Sequence, residues 1–498
     1  MSTVVSPQAS KTGFGLSLIV VAAAQLMLVL DDTIANIALP SIQRELAVSA
    51  ATLPWIINAY VLAFGSLLLF GGRIGDLFGR RRVLRFGILI FTLASLLGAV
   101  GPNAELLVAA RGLQGVGGAL IAPNVLALIT TNFPQGKSRN SAMAVYAAMS
   151  AVGMTVGILL GGILTGLLSW RWVFLINVPI GLSVLAGTGI LVDGPRNIGR
   201  LDLPGAVSGT GAMVALTYGV SRAGEQGWSD ALTVGAFIFS GVLGSLFLLV
   251  QSRSKNPLLP LSLLRDRNRS GSYAAVLFIG GGLLATYYLL TLYMQQVLQF
   301  NPVMAGLASL PVSVGIVLSA GISSKLVESF SPRAVTVPGL LIAAMGTYWL
   351  STLTVGSSYA AHVLPTLFVT YFGLGMGFMP MTLTAVRAVA DGQAGIASAL
   401  LNSAQQIGAA LGVAVLATIS TAAANSRVPE AAEVLQEALK HGNAGVVATA
   451  SEALTYGYTT AFVAGTGMLL IAAVVVIAAV NTGLTQGSGL GDGWHRTR

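Results

Sequence analysis

The sequence contains no cysteine, which excludes disulfides, thiolate metal sites and thiol redox chemistry. Histidine is nearly as scarce. His362, His441 and His495 are scattered along the chain with no metal-site spacing. No Gly-x-x-x-x-Gly-Lys-Ser/Thr run occurs, so an ATP-driven pump within this chain is not expected. No nucleophile–base set suggests an enzyme, and neither a metal nor a cofactor is expected. Charge is also sparse: charged residues make up 9%, against roughly 25% in an ordinary globular protein. With 17 acids and 26 bases, a soluble chain of this length could not cover its surface.

What is present is apolar. Hydrophobic residues reach 54% of the 498 positions, and the mean hydropathy is +0.81. Glycine is abundant at 61 residues, which suits helices packing closely in lipid. A hydrocarbon layer roughly 30 Å thick needs about 20 apolar residues per helical crossing. Runs of that kind lie near 14–39, 53–72, 83–100, 105–130, 141–168, 172–192, 204–222, 229–250, 273–298, 304–326, 334–354, 361–385, 396–421 and 458–481. The expectation is an all-α, polytopic membrane protein of about fourteen spans. Lys11 and the small residues Ala22 to Ala24 give the first run a signal-peptide flavour. Asp31 and Asp32 within it, and the many later spans, favour an uncleaved first helix.

Lys and Arg resist translocation and so report orientation. One set of alternate loops, with both termini, holds 20 of the 26 basic residues; the opposite set holds Arg44, Arg171, Arg222, Arg427 and Lys440. Both termini are therefore expected in the cytoplasm. The net charge of +9 reads as a topology signal, and no nucleic-acid partner is expected.

Two pairs of short matches suggest an internal repeat. Asp76 to Arg81 matches Glu328 to Arg333 at an offset of 252 residues, sharing an acid, a Phe and a terminal Arg. Gly153-x-x-x-Gly157 matches Gly408-x-x-x-Gly412 at an offset of 255. One direction and nearly one spacing point to two parallel six-helix bundles, as transporters often have. The implied division is a first bundle over 1–192, two extra helices with a cytoplasmic linker over 193–272, a second bundle over 273–484 and a tail over 485–498. A helical stretch at 430–441 reads as a solvated cap on the last external loop.

Three charges lie clearly inside spans: Asp31, Asp32 and Arg111. Each costs roughly 2.5–3.5 kcal/mol at mid-bilayer even on lenient scales, so a functional role is expected. Neighbouring helical residues point about 100° apart, so the two acids cannot share a direction. Asp32 lines up with Gln25 and Asn36 as one polar stripe, and helical geometry favours it as the cavity-facing acid. A carboxylate removed from water holds a proton more readily, so such a group can bind and release one as the cavity opens to each side. Arg111 reads both as an anchor between helices and as a fixed positive charge that acts on a nearby carboxylate.

These residues resemble the major facilitator superfamily, and more narrowly its fourteen-span drug:proton antiporters of the EmrB/QacA type. The likeness covers essentially the whole chain. Leu30-Asp31-Asp32-Thr33, with Asn36 and Ala38-Leu39-Pro40, resembles that subgroup's first-helix motif. Gly72 to Arg81 resembles the superfamily's loop signature. Leu107, Arg111, Gln114, Gly115 and Gly117 are similar to the fourth-helix motif, and Trp170 to Pro179 to a segment of the fourteen-span branch. The resemblance implies proton-coupled multidrug efflux by alternating access in a bacterial cell (inner) membrane. The alternative is a dedicated exporter of one antibiotic or metabolite, or a carrier of another substrate class.

Carried over by position, the resemblance makes Asp31 the proton-linked acid, where helical geometry favours Asp32; Asp31, Asp32 and Arg111 together are the expected proton-coupling residues. It makes Gly72, Asp76, Gly79, Arg80 and Arg81 a cytoplasmic gate. Gly153, Gly157, Gly161 and Gly162 match a hinge motif in the fifth span, but Ile158 stands where the motif has proline, so a proline-imposed kink is lost. The substrate cavity is expected to use Asn36, Trp55, Tyr60, Tyr287, Tyr288, Met376 and Phe378, since Met adapts to varied shapes and aromatics stack on cations. The expected partners are a small-molecule substrate, protons and the lipid bilayer, with the chain acting as a monomer.

Overall fold

The computed structural model describes residues 11–50, 52–133, 137–193, 201–254, 257–386 and 394–481, and among them there is no strand. The helices are α1 (Lys11–Leu46), α2 (Trp55–Phe78), α3 (Arg80–Val100), α4 (Ala104–Asn132), α5 (Lys137–Leu167), α6 (Arg171–Leu175) and α7 (Asn177–Gly187). A second group follows: α8 (Leu203–Gln226), α9 (Ala231–Arg253), α10 (Arg267–Leu292), α11 (Pro302–Ala308), α12 (Leu310–Ser329) and α13 (Pro332–Leu350). The chain closes with α14 (Leu364–Val386), α15 (Ala394–Asn425), α16 (Ala431–His441) and α17 (Ala444–Ala479). Eleven helices among the described residues are long and apolar enough to cross a membrane.

Several helices outrun their apolar windows. α1 continues to Leu46, and α17 begins at Ala444, where the Asn443 side chain accepts from the Val446 amide as an N-cap. Hydropathy finds only the stretch that matches the hydrocarbon, whereas backbone hydrogen bonding continues until a cap or breaker stops it. The 430–441 stretch is helical as α16, with Ala431, Leu435 and Ala438 buried beneath it.

One pairing order occurs twice. α4 packs on α2 and α3, and α1 on α5; likewise α14 packs on α12 and α13, and α10 on α15. Gly157 of α5 lies so close to α1 that an added Cβ would meet the Thr33 hydroxyl at 1.9 Å; at Gly412 of α15 it would meet the Gly281 backbone of α10 at 2.4 Å. Both glycines are the closing members of the repeated pair, and only a hydrogen side chain permits either approach. α8 and α9 form a hairpin that rests on α15 and α2.

The first group of helices, α1–α7, meets α10–α17 along α2–α15 and α5–α11, and these two groups form the first and second halves of the helix order. Hydrogen bonds between them cluster at the end that carries the α1–α2 loop. A π-helical turn at Tyr293–Val297 ends α10 and turns two consecutive amides toward α1. Gln295 donates to the Ile37 carbonyl (2.9 Å), and Gln296 donates to Gln43 (2.8 Å). Tyr458 of α17 donates to the Gln296 side-chain oxygen at 2.6 Å. The Ala50 amide donates to Glu433 of α16 at 3.3 Å.

Candidate functional site

α1 is an unbroken helix through Asp31, Asp32 and Asn36, with Pro40 inside it. Proline lacks an N–H, so the Asn36 carbonyl loses its usual helical partner there without the helix ending. The wheel geometry therefore holds, and the two acids point to different places. Asp31 is fully buried, while Asp32 is half-buried.

Asp31 is packed inside the first half. Arg111 of α4 donates to its Oδ2 at 2.6 Å, and neither side chain is more than 1% exposed. Oδ1 accepts from Gln114 of α4 (2.8 Å) and Asn177 of α7 (2.7 Å). The cluster then spreads. The Arg111 Nε donates to the Ile56 carbonyl of α2 at 2.9 Å, and its guanidinium lies 4.4 Å from the Tyr60 ring centroid. Gln114 also donates to the Ser95 hydroxyl of α3 at 2.8 Å. Thus α1, α2, α3, α4 and α7 meet around one ion pair. A buried pair repays its desolvation only when further hydrogen bonds satisfy its remaining atoms, and here most are supplied. Two polar atoms of the cluster remain without a partner: the Arg111 Nη2 and the Asn177 Oδ1.

Asp32 lies on the other face. The Asn36 amide donates to the Asp32 backbone carbonyl at 3.2 Å, and Gln25, on the same stripe, donates to Ser150 of α5 at 2.9 Å. Buried Oδ1 atoms of both Asp32 and Asn36 lack any hydrogen-bond donor. Further along the stripe, Gln43 meets Gln296 of the π-helical turn.

The loop residues also come together. Asp76 pairs with Arg80 at 3.0 Å, and Arg80 reaches the Ala127 carbonyl and Thr131 hydroxyl at the end of α4, each at 3.5 Å. Arg81 donates its amide to Asp193 and its guanidinium to the Leu191 carbonyl. Gly79 has φ of 100°, a conformation that favours glycine, and it joins α2 directly to α3. At Gly72 an added Cβ would come only into ordinary contact with Pro123 of α4, at 3.4 Å. At the opposite end Trp170 donates to Glu45 of α1, and Arg171 pairs with the same carboxylate.

The candidate cavity residues do not converge on one wall. Tyr60 lies beneath Arg111. Trp55 lines an apolar crevice with Tyr218 and Phe239 of the α8–α9 hairpin. Tyr288 faces a small cavity at the joined end, beside Gln43, Gln296 and Tyr458. Tyr287 is buried in α10. Met376 turns to α13, where it packs on Gly339, while Phe378 is half-buried. The α5 glycines are contact points within a continuous helix: Gly153, Gly157 and Gly161 against α1, and Gly162 against Pro302 of α11. Gln114 and Asn177 lie within the sequence motifs but carry no role there, and Ser95 lies outside every motif. The signal available for all three is a polar side chain within an apolar run.

A carboxylate and a guanidinium are thus clamped between five helices, with a second, half-buried acid next to them on α1. The chain belongs to the Major Facilitator Superfamily, whose family model matches residues 21–413; it is a multi-pass membrane transporter and not an enzyme. It is 42% identical to the puromycin resistance protein pur8 of Streptomyces alboniger over 92% of this chain and 90% of that one. It is 38% identical to the cephamycin export protein CmcT of Amycolatopsis lactamdurans, covering 82% and 86%. The tetracenomycin C resistance and export protein of Streptomyces glaucescens is 33% identical, covering 83% and 77%. Among solved structures, a bacterial homologue of the human lysosomal transporter Spinster, inward-facing and unoccupied, superposes with a TM-score of 0.66. That match is 17% identical and covers 95% of this chain and 98% of the other, a likeness of fold alone.

Proposed function

We propose that this transporter exports lipophilic, cationic compounds from a bacterial cytoplasm in exchange for protons, by alternating access. The observation that carries the reading is the buried Asp31–Arg111 pair with Asp32 beside it. Intramembrane charges are costly and mark ion and substrate paths. Proton exchange is assigned to Asp31, and Arg111 holds or releases that carboxylate as the halves rock. Fourteen spans of the EmrB/QacA type are proposed, with α5, α8 and α13 crossing in addition to the eleven apolar helices and with both termini cytoplasmic. The excess of Lys and Arg on one set of loops supports that orientation. Two six-helix bundles with α8–α9 inserted between them accord with the recurring helix pairing. The junctions at the α1–α2 end then close the outside, so this state opens to the cytoplasm, and Asp76, Arg80 and Arg81 gate the inner end.

The test is efflux from cells or inverted vesicles. Asp31→Asn is expected to reduce gradient-driven efflux to the passive leak while the protein still reaches the membrane. Undiminished, gradient-dependent efflux by that variant rejects the assignment. A second reading is favoured by the relatives' names, several of which specify one antibiotic each: a dedicated exporter. Substrate-dependent proton release in reconstituted vesicles, screened over cationic and neutral compounds, separates the two.

A further inference from the structure

The α8–α9 hairpin takes no part in the ion-pair cluster around Asp31. Between the hairpin and the start of α2 lies an apolar crevice of about 510 Å³, lined among others by Trp55, Gly211, Tyr218, Leu232, Gly235 and Phe239. A cleft of that size is large enough for one lipophilic ligand. No charged side chain enters the lining, and only Trp55 and Tyr218 carry a side-chain polar atom, both of types that bilayer interfaces favour. The slot is open at Gly235, where an added Cβ would meet nothing within 4 Å. Tyr218, Leu232 and Phe239 are exposed, so in a membrane the opening is toward hydrocarbon. Along α8 the lining runs from Gly211 to Tyr218, and Arg222 stands one turn beyond. Gly211 to Arg222 covers about 16 Å at 1.5 Å per residue, which is about the depth of one leaflet in a hydrocarbon layer roughly 30 Å thick. At that mouth Arg222 donates through Nε to Asp230 at 2.7 Å; both side chains are partly exposed, and no second carboxylate pairs with this guanidinium among the described residues. The terminal nitrogens of an arginine match a phosphate through parallel N–H donation.

We propose that this crevice is a phospholipid site: one acyl chain of an outer-leaflet phospholipid fills it, and Arg222 holds the phosphate. The assignment to the outer leaflet rests on the orientation proposed above. The walls decide the chemistry of the occupant. An apolar slot one leaflet deep, with a basic group only at its mouth, matches an acyl chain beneath a phosphate, whereas a compact lipophilic cation would bring its charge beside Arg222. Trp55 belongs to α2 in the first half, while α8 packs on α15 in the second, where Thr418 donates to the Val220 carbonyl at 3.3 Å. The lipid therefore fills the seam between the inserted hairpin and the first half. It supplies dispersion contacts that no side chain makes there.

The experiment uses the full-length protein in lipid nanodiscs doped with a phosphatidylglycerol that carries a diazirine midway along one acyl chain. After irradiation, cross-linked peptides are mapped by mass spectrometry. Cross-links are expected to concentrate at least fivefold on Tyr218, Leu232 and Phe239 over Phe86 and Leu93, comparably exposed side chains of α3. Gly235→Phe fills the slot and is expected to cut labelling of Tyr218 and Phe239 at least fivefold while leaving the α3 label unchanged. Arg222→Gln is expected to lower labelling about threefold, and Arg222→Lys to keep it within twofold of wild type. Equal labelling of the hairpin and α3 shows freely exchanging lipid and overturns the proposal, as does full labelling in Gly235→Phe. Labelling unchanged in Arg222→Gln removes the phosphate assignment. An excess of tetraphenylphosphonium is expected to leave the label in place; its loss shows a drug site and overturns the choice of occupant. The wild-type ratio needs no variant, so a Gly235→Phe that does not fold leaves the test intact. A reversed orientation appears instead as a Leu53→Cys that an impermeant maleimide reaches only from the cytoplasmic side, and it leaves the cross-linking ratio standing, so the two failures are distinct.

Discussion

At the scale of single residues, Gly157 of α5 makes the tightest approach to α1 among the described glycines. An added Cβ would stand 1.9 Å from the Thr33 hydroxyl, on the helix that carries both acids. Gly157→Val is therefore expected to destabilise the protein by about 1–3 kcal/mol through overpacking, seen as a lower Tm in detergent. A Tm equal to wild type would show that α5 yields freely here. Asp76 makes a different case, since its pair with Arg80 is partly exposed and exposed pairs contribute about 0–1 kcal/mol. Asp76→Asn is expected to leave Tm nearly unchanged, to slow turnover and to affect substrate binding less; unchanged turnover argues against a gate. Asp31, Asp32 and Arg111 are legible in the sequence because charge in an apolar run stands out. Gln114, Asn177 and Ser95 are not, because a neutral amide or hydroxyl in a span is ordinary until its partner is known. That partner lies up to 146 residues away, as with Asn177 and Asp31.

At the scale of elements, the α8–α9 hairpin shows how a short connection is held. Asp230 caps α9 by accepting from the Thr233 amide and also receives Arg222 at 2.7 Å. These donors pull its carboxyl down from 3.8 to about 2, the Arg222 hydrogen bond contributing most. A depressed carboxyl stabilises the fold above its unfolded value and loses that contribution as pH falls through its folded one. Asp230→Asn is thus expected to lower Tm by the same amount at pH 5 and pH 8. The difference from wild type is expected to shrink only between pH 4 and pH 2. A difference that already shrinks between pH 8 and pH 5 contradicts this pairing. Among elements, the cores of the apolar helices were readable from hydropathy. Their ends were not, since caps such as Asn443 and Asp230 act through local geometry that a hydropathy window averages away.

At the scale of the molecule, the joined end depends on few contacts. Gln296 donates to Gln43 in one half and accepts from Tyr458 in the other. Gln296→Ala removes both bonds, and a buried unsatisfied partner costs about 1–3 kcal/mol. Opening at that end is expected to rise on the order of tenfold. The natural absence of cysteine makes the measurement direct. Leu53, which lines the cavity beside Gln296 and is 1% exposed, is replaced by cysteine, and its labelling from outside by an impermeant maleimide is timed. Equal rates with and without Gln296 would show that the latch lies elsewhere.

Hydropathy and charge are sums over neighbouring residues, so the sequence alone determined the membrane class, the apolar cores of the spans and the rarity of intramembrane charge. Which acid enters the ion pair was left open by the sequence, where the helical wheel favoured Asp32 for the cavity and family likeness favoured Asp31 for the proton. The tertiary structure decided their surroundings: Asp31 fully buried among Arg111, Gln114 and Asn177, and Asp32 half-buried outside that cluster. It also decided that Trp55 lies against the α8–α9 hairpin and Met376 against Gly339 of α13. The reason is physical. A side chain's direction follows from its own helix, but its partners follow from how helices distant in sequence cross, and that is set by close packing over the whole bundle.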